Sequence, residues 1–311
     1  MSKTALVVAH HHPNLDFLNE WKPYLDDVHV VICRDRPEYK YKAWDNMTIY
    51  DHEDINKDLG KNAWIISVFN SAIKSYGFYK AYQSGFETIV AVDNDCFPTN
   101  NFFKIHQKAL DTPATLGWIQ TAGFFTRGFP YLIRGKSETV LNHGTWSNIP
   151  DIDAPTQLLN PDFRSEEALV SEVIPKNNFF PMSGMNIAFK KEVTPLMYFG
   201  LQGDKYPYNR FDDVWAGIFA KKVIDHLGLA VRSGIPSVEH RRQSNVFENL
   251  QREASGLALN EVLYKEVEAI RLTKTSIVDS YKELIAQLPD INDYIKQLKK
   301  ATLIWLSLYE N

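Results

Sequence analysis

The run Ile89-Val90-Ala91-Val92 is wholly apolar and stops abruptly at Asp93-Asn94-Asp95. A short β-branched run without polar alternation suits a strand covered on both faces, as in a parallel sheet flanked by helices. The carboxylates then emerge at the carboxyl end of the strand, where open α/β sheets bind their ligands. Two carboxylates one residue apart repel unless a cation stands between them, and a divalent cation is the simplest occupant. The same residues also suit an Asx turn, because Asp and Asn side chains bond their own backbone. Both readings stay open on this stretch alone.

The first hundred residues repeat the same pattern. "TALVVAHHHPNLDFLNEWKPYL" reads as a strand, a polar loop and an amphipathic helix with Leu15, Leu18 and Trp21 at helical spacing. "VHVVICRDRPE" is a second strand ending at Cys33-Arg34-Asp35, and "NMTIYD" is a third. "AWIISVFNSAIKSYGFYKAYQSG" predicts a helix that Gly85 stops, after which the next strand delivers Asp93. This alternation implies a doubly wound parallel sheet, although neither GxGxxG nor a Walker motif is present.

Composition narrows the function. With 311 residues and 44% hydrophobic content, the chain buries a substantial core. A net charge of −4 without a long basic block argues against a nucleic-acid partner. Cys33 and Cys96 are the only cysteines, which supports no disulfide framework and fits a reducing cytosol. The apolar stretch before His10 is too short for a signal segment or a span. The expectation is a cytoplasmic protein with no membrane partner.

Beyond about residue 118 the chain turns to aromatic and polar segments punctuated by Gly and Pro, a composition typical of functional loops. "FDDVWAGIFAKKVIDHLGL" returns to an amphipathic helix with Asp212 and Asp213 at its start, where carboxylates suit the helix dipole. After about residue 250 the pattern is helical throughout, a tail suited to packing on the core or on another subunit of a homo- or hetero-oligomer.

The segments "VDNDCFP", "RGFPYLIRG", "HGTWSNIPDIDAPTQL", "FPMSGMNIAF", "RFDDVWAG" and "HRRQSN" stand in an order and at spacings that resemble the reversibly glycosylated polypeptides, the UDP-arabinopyranose mutase family. The resemblance runs from about Asn14 to Leu250 and leaves out the helical tail. It implies a GT-A-like, Rossmann-type nucleotide-sugar-binding domain over residues 1–250, with a mostly parallel central sheet and a helical extension over 251–311. It further implies a UDP-sugar substrate, UDP-arabinose first, and dependence on manganese or magnesium.

Roles follow from the resemblance residue by residue. Asp95, Asp93 and His240 become metal ligands, with Asp93 also available to the ribose. Hard cations take oxygen ligands, and carboxylates plus substrate phosphates are their usual set. Asp35 corresponds to a uracil-binding position, and its local alternative is a turn before Pro37. Asp212 and Asp213 match the acid/base or sugar-binding pair, or else cap a helix. Arg127 matches the position of reversible glycosylation. A guanidinium is a poor nucleophile, so its alternative role is to hold the departing diphosphate by charge. Arg134 is structural or diphosphate-binding, and His143 and Trp146 either pack against the sugar or fill the domain.

The chain departs from the family pattern in three places. Asn94 replaces a central Asp, Asn70 and Lys74 stand where Asp and Arg are usual, and His10-His11-His12 replace a Thr-Ile-Arg opening. Lys74 then becomes the diphosphate contact, as a point charge in place of a fork. Three successive histidines cannot share one face of a strand, so they are given no metal role. The leading function is interconversion of UDP-arabinopyranose and UDP-arabinofuranose. The alternatives are a glycosyltransferase acting on a separate acceptor and a non-catalytic UDP-sugar-binding subunit.

Overall fold

A computed structural model describes residues 3–118, 124–242 and 244–310. The chain opens as β1 (Thr4–His10), α1 (Leu18–Trp21), β2 (Val28–Arg34), β3 (Met47–Tyr50), α2 (His52–Leu59) and α3 (Lys74–Gln83). It continues as β4 (Thr88–Val92), β5 (Cys96–Pro98), α4 (Phe102–Asp111), β6 (Thr139–Asn148), α5 (Ala154–Leu159), β7 (Ser171–Val173) and β8 (Asn186–Lys190). It closes with α6 (Asp212–His226), β9 (Ala230–His240), α7 (Val246–Ala269), α8 (Ile277–Gln287) and α9 (Asp293–Ser307).

The strands form one nine-stranded sheet in the order β3-β2-β1-β4-β8-β6-β9-β5, with β7 pairing β9. The first four are parallel, β8 inserts antiparallel between β4 and β6, and β6 pairs parallel with β9. Strands β1, β2, β3, β4, β6 and β9 therefore share one direction, and the mostly parallel sheet expected of a Rossmann-like α/β fold is present.

The apolar runs behave as two-faced strands. Ala5, Val7, Ile89 and Ala91 enter one core cluster, while Leu6, Val8, Val90 and Val92 enter another on the opposite face. Helix α3 seals the first face at close range. A Cβ on Gly77 would lie 2.5 Å from both Cys33 Sγ and Val7 Cγ1, so only glycine lets the helix approach β1 and β2 this closely.

Local helices are shorter than the sequence suggests. The segment expected as one helix is instead a 3-10 turn over Gly60–Ile65, an irregular stretch, a second turn over Ser71–Ile73, and then α3. Asn70 breaks it: its side chain accepts from the Ala72 N–H at 2.9 Å, a cap that competes with a continuing helix. Gly85 stops α3 as expected, at φ +83°.

The tail is not peripheral. Residue 250 falls within α7, and Leu263, Tyr281, Ile295 and Trp305 share the core cluster of Phe78, Ile187 and Phe219. Among the described residues no helix is long and apolar enough to cross a membrane.

Candidate active site

The carboxyl ends of β1, β2 and β4 open into a cleft with two chambers. The larger, about 1140 Å³, is lined by His11, His12, His52, Asn70 and Asp212 among others. The smaller, about 510 Å³, is lined by Asp93, Asn94, Asp95, Asp151 and His240. Both share His11, Ser71, Arg210, Arg242 and Arg252, so they meet along a common border.

Asp35 lies at the end of β2 with no exposure, beneath the larger chamber. His52 Nε2 donates to its Oδ1 at 2.8 Å, and His11 Nδ1 stands 3.3 Å from its Oδ2. Burial lowers the His11 pKa against the pull of Asp35. A neutral imidazole there presents its second nitrogen to a ligand.

The smaller chamber begins where β4 ends. Asp93 accepts from the ammonium of Lys74, which is fully buried and also donates to the Gly184 carbonyl at 2.8 Å. Burial works to lower the pKa of this lysine, but Asp93, with Asp213 and Asp212, together outweigh it, so the pKa is raised. Lys74 thus reaches the site through Asp93 and does not line the cleft. Asn94 Nδ2 donates to His10 Nδ1 at 3.2 Å, which ties the central position of the Asp-Asn-Asp stretch to β1.

Asp95 and His240 are the residues that could hold a cation. His240, at the end of β9, pairs in register with Cys96 of β5, which sets it beside Asp95. Its Nδ1 donates to the Ile149 carbonyl at 2.9 Å, leaving Nε2 3.8 Å from Asp95 Oδ2. That backbone tether is the kind of outer contact that orients a ligating histidine. Burial works against the Asp95 charge, but His240 and Arg242 outweigh it and hold the carboxyl below its ordinary range. Among the described residues, no group of three or more His, Cys, Asp or Glu side chains converges as a closed metal site. Two protein ligands, with phosphate oxygens and water completing the set, suit magnesium or manganese rather than zinc.

Behind these ligands lies a concentrated group of carboxyls. Ser71 donates to Asp212, Gly184 N donates to Asp213 Oδ2 at 2.6 Å, and Ser183 donates to Asp151 Oδ2 at 2.5 Å. Burial raises all three pKa values; Asp93 adds at Asp212, while Asp212 and Asp151 carry Asp213 well above the usual range. Such carboxyls hold and release protons where ordinary ones are already ionised. Helix α6 sits close enough to arrange them because of Gly217, where a Cβ would lie 2.4 Å from Met182 N.

Of the residues singled out from sequence, Asp93, Asn94, Asp95, Asp212 and His240 line the cleft, and Asp35, Lys74 and Asp213 support it from beneath. Four others are not brought into it. Arg127 is exposed on the loop after residue 123. Arg134 packs over the Tyr131 ring at 3.8 Å and donates to the Phe129 carbonyl at 2.7 Å. His143 and Trp146 belong to β6: His143 is buried, bonded to Ser233 Oγ at 2.9 Å, and packed edge-on against Trp146 and Phe180. Burial lowers the His143 pKa to about 4, so it stays neutral.

Sequence reasoning passed over Asp151, Arg210 and Arg242, though all three lie within segments that carried the resemblance. Their signal was charge within those segments, close to the carboxylates and the histidine that the resemblance had singled out. His11 was set aside because neighbouring strand residues face opposite ways. At the end of β1 the strand gives way to loop, and both His11 and His12 line the larger chamber.

Comparison with known proteins gives the family of the chain. A sequence model described as reversibly glycosylated polypeptide matches residues 2–311, so the similarity includes the tail, which the sequence reading had left outside. The chain is 36% identical to "Probable UDP-arabinopyranose mutase 4" of Arabidopsis thaliana, covering 96% of this chain and 88% of that protein. It is equally 36% identical to "UDP-arabinopyranose mutase 1" of the same plant, covering 96% and 89%. Against "UDP-arabinopyranose mutase 1" of Oryza sativa subsp. japonica the identity is 33%, covering 96% and 88%. On the whole-chain match and these identities, the chain belongs to the reversibly glycosylated polypeptide family.

Proposed function

We propose that the chain is a mutase interconverting UDP-arabinopyranose and UDP-arabinofuranose. The observation that carries this reading is its similarity, over 96% of its length, to proteins named UDP-arabinopyranose mutases. A cleft whose two chambers suit the two ends of a nucleotide sugar supports it. In this reading the uridine occupies the larger chamber, where His11 and His52 screen Asp35, and the pentose lies with Asp95, His240 and Asp151.

Asp95 and His240, with Asp93 beside them, are the residues that would hold manganese or magnesium. A cation held there would supply Lewis-acid neutralisation of the diphosphate charge. Ring contraction has its own proton requirement, since in net terms one proton leaves the O4 hydroxyl and one arrives at O5. Asp151 lines the smaller chamber with the pentose and Asp212 the larger one, so Asp151, with its burial-raised pKa, is the carboxyl placed to take up and return these protons. Asp213, proton-rich behind them, keeps the group from accumulating charge. Arg127 is exposed and lies outside both chambers, so it is given no part in holding the diphosphate.

Incubation with UDP-arabinopyranose and Mn2+, without any acceptor, should yield ring-isomerised UDP-arabinose on chromatography, and chelation with EDTA should stop it. Loss of sugar only when an acceptor is added would favour a transferase. Metal-dependent UDP binding without turnover of any UDP-pentose would favour a non-catalytic subunit.

A further inference from the structure

A ligand that spans both chambers must cross the border formed by His11, Ser71, Arg210, Arg242 and Arg252. In a nucleotide sugar, the part lying there is the diphosphate. The planar guanidinium fork matches phosphate oxygens in pairs, which makes the three border arginines the groups to examine. Lys74 is committed to Asp93 and Gly184, and Arg127 and Arg134 do not line the cleft.

The arginines are not equivalent. Arg242 and Arg252 are exposed, whereas Arg210 is built in. Its Nε donates to Glu253 Oε1 at 2.7 Å, and Glu253, on α7, is 4% exposed. The other Glu253 oxygen accepts from the Ala154 N–H at 2.7 Å, at the first residue of α5. One buried carboxylate therefore fixes the guanidinium and the start of a helix together. Among the described residues, the terminal nitrogens of Arg210 make no hydrogen bond; the residue lines both chambers, and its charge acts on Asp151 in the smaller one. The backbone adds an independent sign: Arg210 sits at φ +65°, a left-handed conformation that a non-glycine residue keeps where its surroundings impose it, and such residues concentrate at ligand clamps.

We propose that Arg210 is the anchoring cation for the diphosphate of the nucleotide sugar and that Glu253 is its positioning residue, which makes helix α7 part of the binding site. The assignment rests on the UDP-sugar reading given above.

Calorimetric titration with UDP, UMP and uridine at one fixed Mn2+ concentration tests it. Arg210→Lys keeps a charge for Glu253 while removing the fork, and Glu253→Gln leaves the arginine intact but weakens its anchor. Both variants should lose about tenfold to hundredfold in UDP affinity, the worth of one charge-assisted contact, with a smaller loss for UMP and none for uridine. A purely structural role would weaken all three ligands together, and that outcome overturns the proposal. Unchanged UDP affinity in both variants, with wild type binding UDP, overturns the arginine assignment alone. Failure of wild type to bind UDP overturns the nucleotide-sugar reading and the assignment with it.

Discussion

The Lys74 ammonium is fully buried and bridges two parts of the site, donating to the Asp93 carboxylate at the end of β4 and to the Gly184 carbonyl, whose own N–H is bonded to Asp213. One cation thus sits among Asp93, Asp212 and Asp213. Lys74→Met keeps the volume and deletes that charge. Removing one partner of a buried pair costs about 3–5 kcal/mol, and the partial exposure of Asp93 reduces this to about 2–4 kcal/mol. Urea unfolding should show the loss as a lower midpoint. A midpoint within experimental scatter of wild type would mean that the carboxyl group does not depend on this cation.

Asp213 gives a pH dependence of opposite sign to the usual carboxylate. Burial and the neighbouring Asp212 and Asp151 raise its folded pKa well above the ordinary 3.8. Above that ordinary value the unfolded chain is already deprotonated while the folded group still binds its proton. Stability therefore falls as pH rises from there toward the folded pKa, by at most about 1.4 kcal/mol per pH unit. Asp213→Asn keeps an oxygen for the Gly184 N–H and never ionises. The melting temperature of the variant relative to wild type should rise between pH 5 and pH 8, and a difference that does not change with pH would contradict the raised value.

The sheet was legible because its strands are buried on both faces, so each appears as an apolar run whose end marks the cleft. Asp93 follows such a run directly, Asp95 stands two residues beyond it, and Asp35 follows Arg34 at the end of another, so all three were legible from strand ends. What pattern could not give was which loop folds back. Arg127 and Arg210 look alike in sequence, each opening a short segment that carried the resemblance, and only tertiary contacts put one on an exposed loop and the other against Glu253. His143 and Trp146 were read as loop residues because β6 mixes Asn, His, Gly and Thr. Part of that polarity is satisfied between the sheet and α4: Asn142 donates to His106 Nδ1 at 2.9 Å, and His106 Nε2 donates to Asn186 Oδ1 at 2.9 Å, whereas His143 Nε2 is buried without a partner among the described residues.

Trp305 tests whether the tail belongs to the core. It has no exposure, stacks with Tyr198 at 5.3 Å between ring centroids, and donates Nε1 to the Pro195 carbonyl at 2.8 Å. Trp305→Ala should cost about 3–5 kcal/mol. Trp305→Phe, which keeps most of the ring but drops the bond, should cost about 1–3 kcal/mol, the penalty of an unsatisfied buried acceptor. A single cooperative urea transition shifted in both variants is the expected result. A separate early transition, with the main one unmoved, would mark the tail as an independent unit.

Arg127 and Arg210 make opposite predictions for UDP. Because Arg127 is exposed and does not line either chamber, Arg127→Ala should bind UDP within about twofold of wild type, a difference below about 0.5 kcal/mol. Turnover is the second readout. If the sugar is captured on Arg127, intact-protein mass spectrometry after incubation with UDP-arabinose should show a pentose-sized adduct on wild type and on Arg134→Lys, and none on Arg127→Lys. UDP affinity should stay level across all three. Turnover by wild type with no adduct at any time would rule out capture of the sugar on Arg127. A large loss of UDP affinity in Arg127→Ala would overturn its place outside the cleft, because a side chain that never meets the diphosphate has nothing to contribute to holding it.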